Sequence, residues 1–291
     1  MPDHRLRRRV PFLLGLAAPL SLLSACAPHA TLITDPVFAE LYLSDREEVV
    51  RLEDAAQEAG FRLRTVTLES VAEGPAAVDA ALDGVGSGDP TVLSPLLPAV
   101  ARGADRARTL GGGDLLLLGG PDDEPPEGAS VAVYDRTAAF AELGQRIGGR
   151  SVVAFFRSDT PTRRAELDAF REGLGAAVER TRFVVFDEEP PDTAVREELF
   201  RVRSPEVDLV AVFLGPANRL VLNEIAGMER SPPPVATEDL GPADAYGSFV
   251  AYRVERDYAA ALGAFLSGRR GRIRSEARLI ERGIEPRDRV P

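Results

Sequence analysis

The sequence has 291 residues, with 46 acidic against 35 basic and a formal charge of −11. So acidic a chain repels nucleic acid and anionic lipid surfaces, and neither is an expected partner. All the basic residues are arginine, the only histidines are His4 and His29, and Cys26 is the single cysteine. That inventory excludes a Schiff-base or phosphate-loop lysine, a Ser-His-Asp triad, a thiol nucleophile and the usual zinc sites, and leaves carboxylate chemistry open.

Arg5 and Arg7 to Arg9 precede an apolar stretch, Val10 to Ala25, broken by Pro11 and Pro19. It is too short and too interrupted to span a bilayer, and residues 1–25 read as an export signal. Leu23-Ser24-Ala25-Cys26 resembles a bacterial lipobox, in which the cysteine is lipidated and becomes the first residue of the mature chain. The expected product is exported and held on the cell envelope through Cys26, because several acyl chains anchor stably where one does not. The remaining 266 residues keep 31 basic and 45 acidic side chains, a formal charge of −14. They are enough for two lobes of ordinary size.

After a tether over 26–30, Thr31 to Thr34 reads as a short buried strand. Asp35-Pro36-Val37-Phe38 follows. A helix then starts at Ser44, with Glu47 at the capping-box position, Val49, Leu52, Ala56 and Ala59 turned inward, and Gly60 as its stop. Strands are expected over 61–68, 91–94, 114–118 and 131–134, and helices over 76–82 and 97–110. The loop GPDDEPPEG at 120–128 lacks the ligand spacing of a calcium site, so a solvated loop is expected. The glycine runs at 84–89 and 111–113 precede strands, whereas a dinucleotide fingerprint follows one.

The second half repeats this rhythm. Strands are expected over 151–156, 183–186, 207–214, 234–237 and 248–252. The helices between them carry Ala139/Phe140/Leu143/Ile147, Leu167/Phe170/Leu174, Val195/Leu199/Val202 and Leu220/Val221/Ile225. Tyr258 to Leu266 reads as a last helix before Gly268, and the basic cluster Arg269 to Arg274 as a solvated connector. Strands alternating with helices predict an α/β architecture with parallel sheets covered on both faces.

Several segments, in this order and spacing, resemble the type I periplasmic binding proteins, relatives of the ligand domains of lactose-repressor-like regulators. They are VAVYDRTAAF (131–140), VVAFFRSDTPTRRAELDAFREGL (152–174), DLVAVFLGPANRLVL (208–222), PVATEDLG (234–241), FVAYRVERDYAAALGAFLSG (249–268) and ARLIERG (277–283). The lipobox adds a likeness to the basic-membrane-protein branch. The resemblance implies two Rossmann-like lobes joined by a three-segment hinge. A first lobe over 31–135 would be completed by about 255–273, and a second over 136–254 by about 274–291.

It also implies a site at the crevice. Asp135 and Arg136 match the family's Asp-Arg pair at the first crossing. Arg164 falls where the family places an arginine at the start of a second-lobe helix, and Asp239 where an aspartate ends a late strand. Asp35 and Phe38 fall in the first loop, where a ring stacks on a sugar face. Asn218 lies two places beyond the family asparagine, whose own position holds Pro216, and Arg253 stands near the hinge glutamine. Plainer roles are open to each. Asp135 can cap the helix at Thr137, Arg164 can be an exposed cation, Phe38 can be core and Asp239 a turn residue.

What the resemblance implies for function is a solute-binding lipoprotein, not an enzyme. It would need no cofactor or metal and would deliver a sugar or nucleoside to an ABC-type permease. The alternative is a sensing or degenerate structural lipoprotein of the same fold without transport. A carboxylate-based glycosidase has only scattered Asp and Glu in its favour.

Overall fold

The structure is a computed structural model that describes residues 27–43, 46–69, 80–81, 88–95, 114–119, 128–188, 190–202, 206–228, 232–238 and 249–281. Cys26, Ser44, Asp239, the helix expected over 97–110, most of that over 76–82 and nearly all of the acidic loop lie outside the described residues.

Eleven strands run in chain order as β1 (His29–Thr34), β2 (Arg62–Thr67), β3 (Thr91–Leu93), β4 (Leu115–Leu117), β5 (Ala129–Asp135), β6 (Val152–Arg157), β7 (Arg182–Phe186), β8 (Leu209–Phe213), β9 (Val235–Glu238), β10 (Val250–Arg256) and β11 (Arg272–Glu281). The helices among the described residues are α1 (Pro36–Phe38), α2 (Arg46–Glu58), α3 (Thr137–Ile147), α4 (Pro161–Leu174), α5 (Asp192–Val202), α6 (Asn218–Ala226) and α7 (Tyr258–Leu266). A π-helical turn, Ala39–Leu43, joins α1 to α2.

The strand order is β2-β1-β3-β4-β5-β11-β10-β9-β8-β6-β7. Every pairing is parallel except β10 with β11. Strand β11 serves two sheets. Arg272 to Glu276 pairs parallel with β5, and Ala277 to Glu281 pairs antiparallel with β10. The result is two α/β lobes sharing one long strand.

Each sheet is covered on both faces, as the long apolar runs of its strands require. In the first lobe Leu32, Val92, Leu116 and Ala132 face α2 and α7, while Ile33, Leu93, Leu117 and Val131 face the other side. In the second lobe Val152, Ala154, Phe156 and Phe213 pack on α3 and α4, and Phe155, Val210 and Val212 pack on α5 and α6. Helix α3 therefore belongs to the second lobe although it follows the last first-lobe strand, and α7 returns to the first. Helices α3 and α4 approach closely because Gly144 and Gly173 stand at their contact. A Cβ on Gly144 would lie 2.5 Å from the Phe170 carbonyl oxygen, and one on Gly173 would collide with the Ala141 carbonyl oxygen.

Three local features differ from the sequence reading. Strand β1 starts at His29, because its pairing with β2 extends through His29↔Arg62 and Ala30↔Leu63. Asp35 starts a helix of its own: its side chain accepts from the Phe38 amide and Pro36 occupies the first turn, where a missing N–H costs nothing. The arginine run at 269–274 is solvated as expected, but its second half, from Arg272, is already strand β11. Ile273 and Ser275 are buried while Arg272, Arg274 and Glu276 are exposed, the period of two that a half-covered strand shows.

Candidate functional site

The topology itself locates a crevice. Strand β5 runs alongside β11 until Asp135 pairs with Glu276. Strand β10 runs against β11 until Arg256 pairs with Ala277. The C-terminal ends of both sheets thus meet at the Glu276-Ala277 step, since all the other strands run parallel to β5 or to β10 within their own sheets. Crevices outside the carboxyl ends of parallel strands are where such sheets bind ligands.

The first-lobe wall is built by the loops after β1 and β3. Asp35 is fully buried, accepts from the Phe38 amide at 2.8 Å and from Ser94 Oγ at 2.6 Å, and so ties the two loops together. Phe38, 2% exposed, stacks on Tyr42 with centroids 4.7 Å apart and meets Tyr258 edge-on at 5.3 Å. Its ring is held in a cluster with Tyr42 and Tyr258 and is not presented to solvent.

The second-lobe wall is a cluster of ions. Arg136, only 4% exposed, donates through Nε and Nη2 to the two carboxylate oxygens of Glu166, each at 2.7 Å. Its Nη1 donates to Glu238. Arg163 donates to both oxygens of Glu238 at 2.9 Å, and the Gly215 amide donates to Glu238 Oε1 at 3.0 Å. Burial on its own would raise the Glu238 pKa, but Arg136, then Arg163 and Arg256, outweigh it and hold the carboxyl well below the usual range. Burial would likewise lower the Arg136 pKa, and Glu238 and Glu166 more than offset it. A buried arginine without such partners would be very costly.

The remaining expected residues fall around this cluster. Asp135 is exposed, and its Oδ1 accepts from the hydroxyl and the amide of Thr137 at 2.6 and 3.0 Å, which lowers its pKa. Asn218 is fully buried. It accepts from the Leu214 amide at 2.6 Å and reaches Thr237 Oγ1 at 3.4 Å, fixing the turn from β8 into α6. Arg164 is exposed and donates Nε to the Ser158 carbonyl at 2.8 Å. Arg253, in β10, pairs with Glu255 at 2.7 Å, and among the described residues its buried Nε has no acceptor. Glu255 in turn pairs with Arg278, which contacts Glu48 of α2. That chain of charges connects the hinge strands to the first lobe.

Sequence reasoning missed Glu166, Glu238, Arg163 and the Arg157-Asp159 pair. Glu166 was legible as a carboxylate on the apolar stripe of its helix, in line with Leu167 and Phe170. Among the described residues no group of three or more His, Cys, Asp or Glu could hold a metal, and no helix is long and apolar enough to cross a membrane.

No family model matches the chain, and no curated protein matches it in sequence. Solved structures do. An arabinose-binding protein from Geobacillus stearothermophilus superposes with a TM-score of 0.58 at 11% identity, over 88% of this chain and 97% of that one. A periplasmic ribose ABC transporter protein from Conexibacter woesei gives 0.53 at 18% identity, over 91% and 95%. The chain has the type I periplasmic-binding-protein fold. The same fold occurs in gene regulators, and a transcriptional activator of the comK gene from Bacillus halodurans gives 0.59 at 12% identity, over 90% and 92%. At these identities the likeness covers architecture alone, and the chemistry of the crevice has to be read from this chain's own residues.

Proposed function

We propose that the chain is an exported lipoprotein, anchored through Cys26, that captures a small polar ligand between its lobes and hands it to an ABC-type importer. The observation that carries this reading is the convergence of both sheets' strand ends at the Glu276-Ala277 step, with charged side chains of the second lobe lining the junction. Closure of two lobes around a ligand is the usual way such an arrangement binds. Asp35, Phe38, Asp135, Arg136, Arg164, Asn218, Asp239 and Arg253 are the residues proposed to form or support the site. Of these, Arg136, Asn218 and Phe38 act by shaping it, because their polar atoms or ring faces are engaged by protein neighbours.

The test is a thermal-shift panel of sugars, nucleosides and amino acids on the purified protein. A ligand that binds the folded state raises the melting temperature by mass action. A rise with at least one class supports the reading, and no rise with any of them at millimolar concentration counts against it. Cys26→Ala should release the protein from the membrane fraction; retention there would remove the anchor from the account.

A second reading, a sensing or structural lipoprotein without transport, is favoured by the saturation of Arg136 by Glu166 and Glu238. A neighbouring gene pair for a permease and an ATPase would speak for transport, and a histidine kinase gene for sensing.

A further inference from the structure

We propose that the second-lobe wall grips an anionic group on the ligand, a carboxylate or a phosphate, between Arg157 and Arg163, so that the preferred ligand is an acidic sugar. The inference rests on the solute-binding reading and narrows it. Arg157 ends β6, Arg163 lies in the first turn of α4, and Gly215 follows β8. A Cβ built on Gly215 would lie 3.4 Å from Arg163 Nη2 and 3.6 Å from Arg157 Nη1, so one end of each guanidinium fork lies beside the same glycine. Gly215 has φ +67°, a conformation that favours glycine, and among the described residues only these two arginines come within 4 Å of the built carbon.

The hydrogen-bond inventory shows what the pair lacks. Arg157 donates Nη2 to Asp159, and Arg163 donates Nη1 to Glu238. Among the described residues Arg157 Nη1 and Arg163 Nη2 have no acceptor, and Arg157 Nε is buried without one. Each cation is already paired on one prong, Arg157 with Asp159 and Arg163 with Glu238, and a ligand anion would bond the two remaining prongs together. One carboxylate or phosphate oxygen pair, with N–H···O bonds of about 2.8 Å on each side, spans such a gap. Asp159 holds the other prong of Arg157 and so fixes the direction in which Nη1 points. On a sugar, the anion that two such forks would take is that of a sugar acid or a sugar phosphate. A chain of formal charge −11, or −14 without residues 1–25, does not draw anions by its overall field, so recognition depends on these two forks. Both side chains are partly exposed, 17% and 18%, and so can be reached from the crevice.

Titration calorimetry of the full chain with glucuronate, galacturonate and glucose 6-phosphate, each against its neutral parent sugar, tests the proposal. At least one acidic sugar should bind about tenfold or more tightly than its parent, and the carboxylate and phosphate arms identify the anion. Arg157→Gln and Arg163→Gln should each remove most of that preference, read as the ratio of acidic to neutral sugar affinity within the same variant. Arg157 pairs with Asp159 and takes no part in the Arg136 cluster, so R157Q keeps the test decisive even where R163Q fails to fold. Equal or tighter binding of the neutral sugars, or a preference that survives in the double variant, overturns the proposal while the solute-binding reading stands. No binding by either class overturns both.

Discussion

Arg136 and Glu166, thirty residues apart in sequence, form a two-pronged ion pair with both N···O distances at 2.7 Å, and Arg136 is the first residue of the chain after strand β5. The pair fastens the crossing between the lobes to α4, the helix that follows β6. Glu238, at the end of β9, closes the cluster from the other side.

Removing one partner should therefore be expensive. Glu238→Gln leaves part of the Arg136 charge uncompensated in a buried place and should cost about 3 kcal/mol, read from urea unfolding. The pH dependence has a definite sign. The folded-state pKa of Glu238 lies below its ordinary value of 4.5, so its stabilising contribution is complete above that value and is lost as the pH falls beneath it. Wild type should lose stability on acidification below about pH 4.5, and the variant should lose less over the same range. Parallel pH profiles for the two proteins would show that Glu238 is not held by these arginines.

The contact of α3 with α4 gives a steric prediction. Gly144→Ala places a methyl 2.5 Å from the Phe170 carbonyl oxygen, against backbone that cannot give way cheaply. The helices must separate, at a cost of about 1–3 kcal/mol. Gly149→Ala, with nothing within 4 Å of the added carbon, is the control and should change stability little. Equal effects at the two positions would refute the close approach.

Phe38 tests core against ligand platform. Its ring lies against Tyr42 and Tyr258, so Phe38→Ala should cost about 3–5 kcal/mol by opening a cavity in the first lobe. A ring that served only a ligand would leave unfolding of the free protein unchanged and weaken binding alone. Denaturant unfolding without ligand separates the two.

Much of the fold was legible because apolar period announces each element. Val152 to Phe156 and Leu209 to Phe213 are continuous buried runs, and the stripes of α3 and α4 repeat every three to four residues. Strand β11 was not, because its arginines dominate the composition of the run and hide the alternation of Ile273 and Ser275. The site was legible in its location and less so in its partners. Arg136 was singled out from an Asp-Arg pair at a strand end, but Glu166 and Glu238 lie 30 and 102 residues away, and no local spacing couples them to it. Glu238-Asp239 sets two acids side by side in the sequence, and that Glu238 turns inward depends on strand register, which a one-residue slip inverts.

A ligand enclosed where the two sheets' strand ends converge on β11 must draw the lobes together. Small-angle X-ray scattering of the purified protein, free and saturated with the sugar that raises its melting temperature most, reads that movement. Closure of the lobes about the hinge predicts a smaller radius of gyration on saturation and a return to the free value when the ligand is dialysed away. An unchanged radius at saturation, or a profile of two bodies joined by a single flexible linker, would contradict the account.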